Sequence, residues 1–309
     1  MHVLVTGATG FVGSAVVRAL VRHGHGALGL VRDRARAAWL ESLGASTVQG
    51  DMLRPETYGP LVAGVDAVVH AAQGKPAGRW SRRKIAAMHQ SDELMTRTLA
   101  AECGDQNKTL VYTSGAMAHA GVADEWISET TPLRPCLLAK GHAEMVELLA
   151  GLHRDRGLRV VIVTPGFVYG AGGFIKESVE LLRKNRYRVI GSGDNYWSFV
   201  HVDDLGEAYV CALERGRPGA NYFLSDDVPL QRRETIDRLA SELGIARVGN
   251  VPNWLAGLWL GFPLVEAINV SIRMRNELAK RELAWTPRYE SFSQALPGVL
   301  KELSVDPRV

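Results

Sequence analysis

Three glycines, Gly7, Gly10 and Gly13, stand at the spacing G-x-x-G-x-x-G. Before them lies the apolar run Val3-Leu4-Val5. After them comes a segment, from about 14 to 23, with Val16, Val17, Leu20 and Val21 on one side. An unbroken apolar run reads as a strand buried on both faces, and the period that follows is that of an amphipathic helix. A chain joined by so tight a turn is committed to a strand–turn–helix unit. Its neighbours repeat the unit. Strands are predicted at 27–31, 46–49, 67–70, 109–113 and 160–163, with helices at 34–43, 55–62, 85–103 and 137–152. That rhythm implies an α/β fold, a doubly wound parallel sheet. After Pro165 the pattern loosens into a smaller C-terminal lobe whose chain returns to the first at strand-like segments, 198–204 and 221–225.

Composition excludes several function classes. The 309 residues suit two domains or one with an appended lobe, and 46% hydrophobic against 22% charged residues is too apolar for disorder. A formal charge of +3 leaves no electrostatic footprint for nucleic acid. Cys103, Cys136 and Cys211 are too few and scattered for a disulfide framework or a metal site, and an odd count fits a reducing compartment. The first strand starts at His2, leaving no room for a signal peptide, so a cytoplasmic location is expected. The apolar stretch from Trp254 to Phe262 lies between Pro252 and Pro263 and is far short of the ~20 residues of a membrane span, so no membrane partner is expected. Its Trp254, Leu255, Leu258, Trp259 and Phe262 form a stripe predicted to bury against the second lobe or to wall an apolar substrate pocket. Between Lys75 and Lys84, the residues Arg79, Arg82 and Arg83 read as a solvated loop or as a seat for a phosphate-bearing substrate.

Glycine at the turn lets backbone approach a diphosphate closely, and the helix that follows offers free N–H groups and a partial positive charge. Residues 1–166, with the returns at about 198–225, are therefore assigned to a dinucleotide-binding (Rossmann) domain, and 167–197 with 226–309 to a substrate-binding lobe. The segment Thr6-Gly7-Ala8-Thr9-Gly10-Phe11-Val12-Gly13 resembles the fingerprint of the extended short-chain dehydrogenases/reductases, the NAD-dependent epimerase/dehydratase superfamily. Four later segments agree in order. They are Gly50-Asp51-Met52, His70-Ala71-Ala72, Thr164-Pro165-Gly166-Phe167-Val168-Tyr169-Gly170 and Phe199-Val200-His201-Val202-Asp203-Asp204. The resemblance implies a nicotinamide coenzyme held by Gly7, Thr9, Gly10, Phe11, Val12, Gly13, Asp51, Met52, Ala71, Ala72, Pro165, Gly166 and Val168, together with Lys140. At the end of the second strand Arg32 precedes Asp33. An Arg there pairs with a 2′-phosphate, so NADP(H) is favoured and NAD(H) is the alternative, with Arg36 as a second contact.

The resemblance also implies a Tyr-x-x-x-Lys pair and a Ser or Thr after the fifth strand. Matched without a gap, the Lys is Lys140, the Tyr position holds Cys136, and the Ser position falls on Gly115, with Ser114 before it. The catalytic candidates are accordingly Lys140, Cys136, Ser114 and His119. Cys136 either carries a proton, its thiol activated by Lys140, or fills the space of a missing phenol. Ser91 or Asp92 stands where relatives often carry Asn. Three readings follow. The first is an NADP(H)-dependent oxidoreductase acting on a carbonyl or hydroxyl of a small organic metabolite, with an atypical centre. The second is a lyase, isomerase or cyclase on the same scaffold, and the third is an NADP(H)-binding regulatory protein. A homodimer through the helices at 85–103 and 137–152 is implied by resemblance alone.

Overall fold

The computed structural model describes residues 1–74, 76–119 and 125–305; Lys75 of the basic segment lies outside them. In chain order the first strands are β1 (His2–Thr6), β2 (Gly26–Val31), β3 (Ser46–Gln49), β4 (Ala67–His70), β5 (Thr109–Thr113), β6 (Trp126–Ile127) and β7 (Val160–Pro165). Then come β8 (Phe167–Tyr169), β9 (Val189–Ile190), β10 (Tyr196–Trp197), β11 (Phe199–His201) and β12 (Asn221–Leu224). The main sheet is wholly parallel, in the order β12-β7-β5-β4-β1-β2-β3. Val3, Leu4 and Val5 are fully buried, as helices on both faces require. The order reverses between β1 and β4. At such a switch point two chain crossovers diverge and leave a crevice beyond the strands' carboxyl ends.

Helix α1 (Phe11–Arg22) buries Val16, Val17, Ala19 and Leu20. It packs against α6 (Val202–Arg215) at close range, because a Cβ on Gly206 would come within 2.7 Å of the Ala15 carbonyl oxygen. Helix α2 (Arg34–Ser42) starts where Asp33 accepts from the amides of Ala35 and Arg36. Helix α3 (Arg82–Asp105) is capped by Ser81, and α4 (Lys140–Arg156) ends at Gly157 in left-handed conformation.

The returns of the chain differ from the sequence expectation. Only β12 joins the main sheet; β11 pairs with β8 in a small separate ladder, and residues 202–204 already belong to α6. The segment predicted as a helix at 55–62 is two 3-10 turns. The second lobe, which includes α5 (Gly173–Arg183) and α7 (Arg232–Glu242), has its own core around Tyr169, Trp197, Phe199, Leu239 and Phe292, while Ala279, Leu283 and Trp285 pack back into the first. The stripe at Trp254–Phe262 does not bury. Helices α8 (Asn253–Leu260) and α9 (Phe262–Ile268) turn its large side chains to solvent, because the inner positions are taken by Ala256, Gly257 and Val265.

Candidate active site

A single cleft of about 1030 Å³ runs along the carboxyl ends of the strands. That is at the upper end of the roughly 300–1,000 Å³ typical of small-molecule sites, room for a dinucleotide with a small substrate. One end is the glycine turn. Gly7 sits at φ +69, and a Cβ on it would lie 2.8 Å from the Ala71 carbonyl oxygen and the Ala72 amide nitrogen. A Cβ on Gly13 would lie 2.1 Å from the Gly7 carbonyl oxygen. The turn is thus packed as tightly as backbone allows. The first amides of α1 have no partner within the helix and point at whatever fills the cleft. A diphosphate fits this cradle.

Gly7, Thr9, Gly10, Phe11, Val12 and Gly13 all line the cleft at this end. Arg32, Asp51 and Met52 line it further out, beside Leu30 and Val31. Ala71 and Ala72 form the wall under the turn, and Pro165 and Gly166 the wall opposite. Val168 is the exception. It pairs with Val200 in the β8–β11 ladder and packs on the first core, outside the cleft. Asp33 is occupied as the cap of α2 and lies 3.4 Å from Arg36, which projects into solvent. Arg32 is therefore the charged group that the end of β2 presents to the cleft.

At the other end the geometry corrects the catalytic candidates. Lys140 is exposed and lies outside the cleft. Cys136 is buried among Ala118, Ala139, Ala143 and Ala267, and burial raises its thiol pKa, the opposite of activation. His119 is buried beside Phe223, its Nδ1–H donating to the Thr131 carbonyl at 3.1 Å, and it too stands outside the cleft. The physical reason is helical phase. A 3-10 turn at Leu137–Ala139 precedes α4, and together they turn Leu138 and His142, not Cys136 and Lys140, toward the cleft. Both pairs have i, i+4 spacing, so spacing alone could not choose. Of the four candidates Ser114 alone lines the cleft, and its buried hydroxyl has no hydrogen-bond partner among the described residues.

His142 is the group that sequence reasoning missed. Its ring faces Gly115, where a Cβ would come within 3.5 Å. Its Nε2 accepts from the Gln73 side-chain amide at 2.6 Å, and its Nδ1 lies 3.1 Å from the Tyr112 hydroxyl. Tyr112 reaches Thr96, and the Thr96 hydroxyl lies 3.3 Å from Nε2 of His70. His70 in turn bonds Thr6 through Nδ1 at 2.9 Å, and Thr6 accepts from the Ala72 amide. A chain of polar groups thus runs through the core from the catalytic end to the strand that feeds the glycine turn. Burial lowers the pKa of both His142 and His70 to about 4, so both rings are neutral at neutral pH. Burial raises Asp92 to about 6; its carboxylate accepts from the Gly74 amide, while Ser91 faces the cleft.

Comparison with known proteins places this arrangement. The model of the NAD dependent epimerase/dehydratase family matches residues 3–224. The chain belongs to that family. This family member is 30% identical over 293 residues to a 2-alkyl-3-oxoalkanoate reductase of Stenotrophomonas maltophilia, covering 90% of this chain and 86% of that protein. It is 32% identical over 264 residues to a 4-hydroxy-2-methyl-3-oxo-4-farnesyl-3,4-dihydroquinoline-1-oxide ketoreductase of Stigmatella aurantiaca, covering 82% and 76%. Its fold matches that of a dTDP-glucose 4,6-dehydratase of Streptomyces venezuelae, solved with NAD bound, at a TM-score of 0.83 and 24% identity over 98% of this chain and 97% of that one. The α/β Rossmann architecture and membership of the extended short-chain dehydrogenase/reductase superfamily follow, and with them an enzyme of the oxidoreductase type. Among the described residues no helix is long and apolar enough to cross a membrane.

Proposed function

We propose that this enzyme is an NADP(H)-dependent reductase or dehydrogenase acting on a carbonyl or hydroxyl of a small metabolite with an apolar body. Its centre is built from Ser114, Gln73 and His142, with Leu138 beside them in the cleft wall. The observation that carries the reading is the continuity of the cleft from the glycine turn, past Arg32, to an unpartnered Ser114 hydroxyl and the His142 imidazole. The glycine turn and the first amides of α1 bind the diphosphate, and Arg32 pairs with a 2′-phosphate. Bound coenzyme supplies or accepts a hydride. Ser114 and the Gln73 amide orient the substrate oxygen; as that amide turns from His142 to the substrate, the freed Nε2 exchanges the oxygen's proton while Nδ1 exchanges one with the Tyr112 hydroxyl. Leu138, Met117, Phe167 and Ile272 exclude water around the reacting carbon. Their apolar character, and the alkyl and farnesyl groups in the relatives' names, support the substrate class. The enzyme works in the cytoplasm as a homodimer packed through α3 and α4.

The test is turnover. With NADPH and a panel of 3-oxoacyl and aryl ketone substrates, absorbance of the reduced nicotinamide falls as alcohol forms. Conversion of a substrate with no net change in nicotinamide, and no transfer of label from deuterated coenzyme, would replace this reading by non-redox chemistry.

A further inference from the structure

The largest exposed apolar feature of the described residues is the outer face of α8 and the start of α9. Trp254 is 64% exposed, Leu258 53%, Trp259 66% and Phe262 55%. On α8 Trp254 and Leu258 stand one turn apart with Trp259 next to Leu258, and Phe262, beyond the break at Gly261, folds back until its ring would meet a Cβ on Gly257 at 2.5 Å. Helix α8 itself carries no charged residue. Scattered apolar side chains are ordinary on a surface, but two tryptophans, a phenylalanine and a leucine on one turn-linked pair of helices make a contiguous patch.

Two further observations say what covers it. The first is charge. The Trp80 amide donates to the Leu260 carbonyl at 2.9 Å, which fastens the segment leading into α3 against the end of α8. That segment carries Arg79 next to Trp80, and Arg82 and Arg83 in the first turn of α3, all exposed and none paired with a carboxylate among the described residues. Elsewhere exposed arginines such as Arg97 and Arg238 bond carboxylates, of Glu93 and Glu234. The second is position. Trp80 also lines the cleft, next to Met88 and Leu138, so the patch adjoins the substrate end of the site.

We propose that this face docks on an anionic lipid bilayer surface, with Trp254, Leu258, Trp259 and Phe262 in the headgroup boundary and Arg79, Arg82 and Arg83 against lipid phosphates. Tryptophan beside arginine is the composition that interfacial anchoring favours, and neither feature alone holds a protein there. Docking of this kind spans nothing, yet it departs from the sequence expectation of no membrane partner. It turns the apolar end of the cleft toward the phase in which apolar substrates concentrate. The proposal rests on this surface alone and holds whichever residues perform the chemistry.

Flotation of the full chain with phosphatidylcholine vesicles, with and without phosphatidylglycerol, tests it. The chain is expected to float with the anionic vesicles, to shift its tryptophan emission to the blue, and to be released by added salt. The variant Trp254→Ser/Trp259→Ser is expected to remain in the soluble fraction with unchanged thermal midpoint and coenzyme affinity. Arg82→Ala and Arg83→Ala are each expected to lower partitioning roughly fivefold. Absence of the wild-type chain from anionic vesicles would overturn the proposal. So would a solution dimer that Trp254→Ser/Trp259→Ser splits into monomers without any effect on flotation, which would make the face a contact between two copies.

Discussion

At the glycine-turn end of the cleft the backbone forms the wall, and at the other end, where we place the chemistry, side chains do. Gly7, Gly10 and Gly13 contribute by having no Cβ, and the amides of α1 contribute by standing first in a helix. Such a site tolerates almost no substitution, but it requires nothing of distant residues beyond a strand and a helix in sequence. The other end is assembled from β4, β5, α3 and α4, and each side chain matters through its phase on its own element. Gln73, Ser114 and His142 meet only because three segments separated by tens of residues end at one level of the sheet. The first kind of site is written locally. The second depends on the phase of each element, which the packing of the whole fold sets.

The sharpest way to break this contrast is at the glycine turn. Gly13→Val is expected to abolish measurable NADPH binding in a calorimetric titration, since its Cβ would overlap the Gly7 carbonyl oxygen. Binding retained within a few-fold would mean that the diphosphate sits elsewhere. Next comes His142. If it handles the proton, His142→Ala lowers kcat by about 10²–10⁴-fold with little change in coenzyme affinity. Lys140→Ala and Cys136→Ser are expected to leave kcat within about twofold, as surface and core substitutions away from the reacting atoms do. The reverse pattern would restore the pair that spacing first suggested.

A smaller effect is expected at Arg32. Arg32→Ala should lower affinity for NADPH by about tenfold or more while changing NADH little, because a charge-assisted hydrogen bond contributes ~1.5–3 kcal/mol. Equal losses for both coenzymes would remove the selectivity assigned to Arg32. The smallest effect concerns acid stability. The unfolded chain takes up protons on His70 and His142 near pH 6.5, whereas burial holds both in the folded protein near 4. Their contribution is full above the unfolded value and is lost as pH falls through the folded one. Denaturant melts between these limits should show stability dropping with acid, and His142→Gln should flatten the slope by about 1 kcal/mol per pH unit. An unchanged slope would mean that His142 reaches solvent in the folded state.

Local pattern in the sequence determined the parallel sheet, the glycine turn, the place of Arg32 and the class of coenzyme. Each depends on neighbours within one strand–turn–helix unit, where sterics and helix-end polarity act over a few residues. Tertiary structure alone decided which i, i+4 pair at the start of α4 faces the cleft, because a single 3-10 turn before Lys140 sets the phase and both pairs have the same spacing. It alone decided that Asp33 is consumed as a helix cap, and that an apolar stripe at helical spacing faces outward. A periodic stripe specifies one face of a helix, but not which side of the molecule that face looks toward. That choice belongs to the packing of Ala256, Gly257 and Val265 against the second lobe.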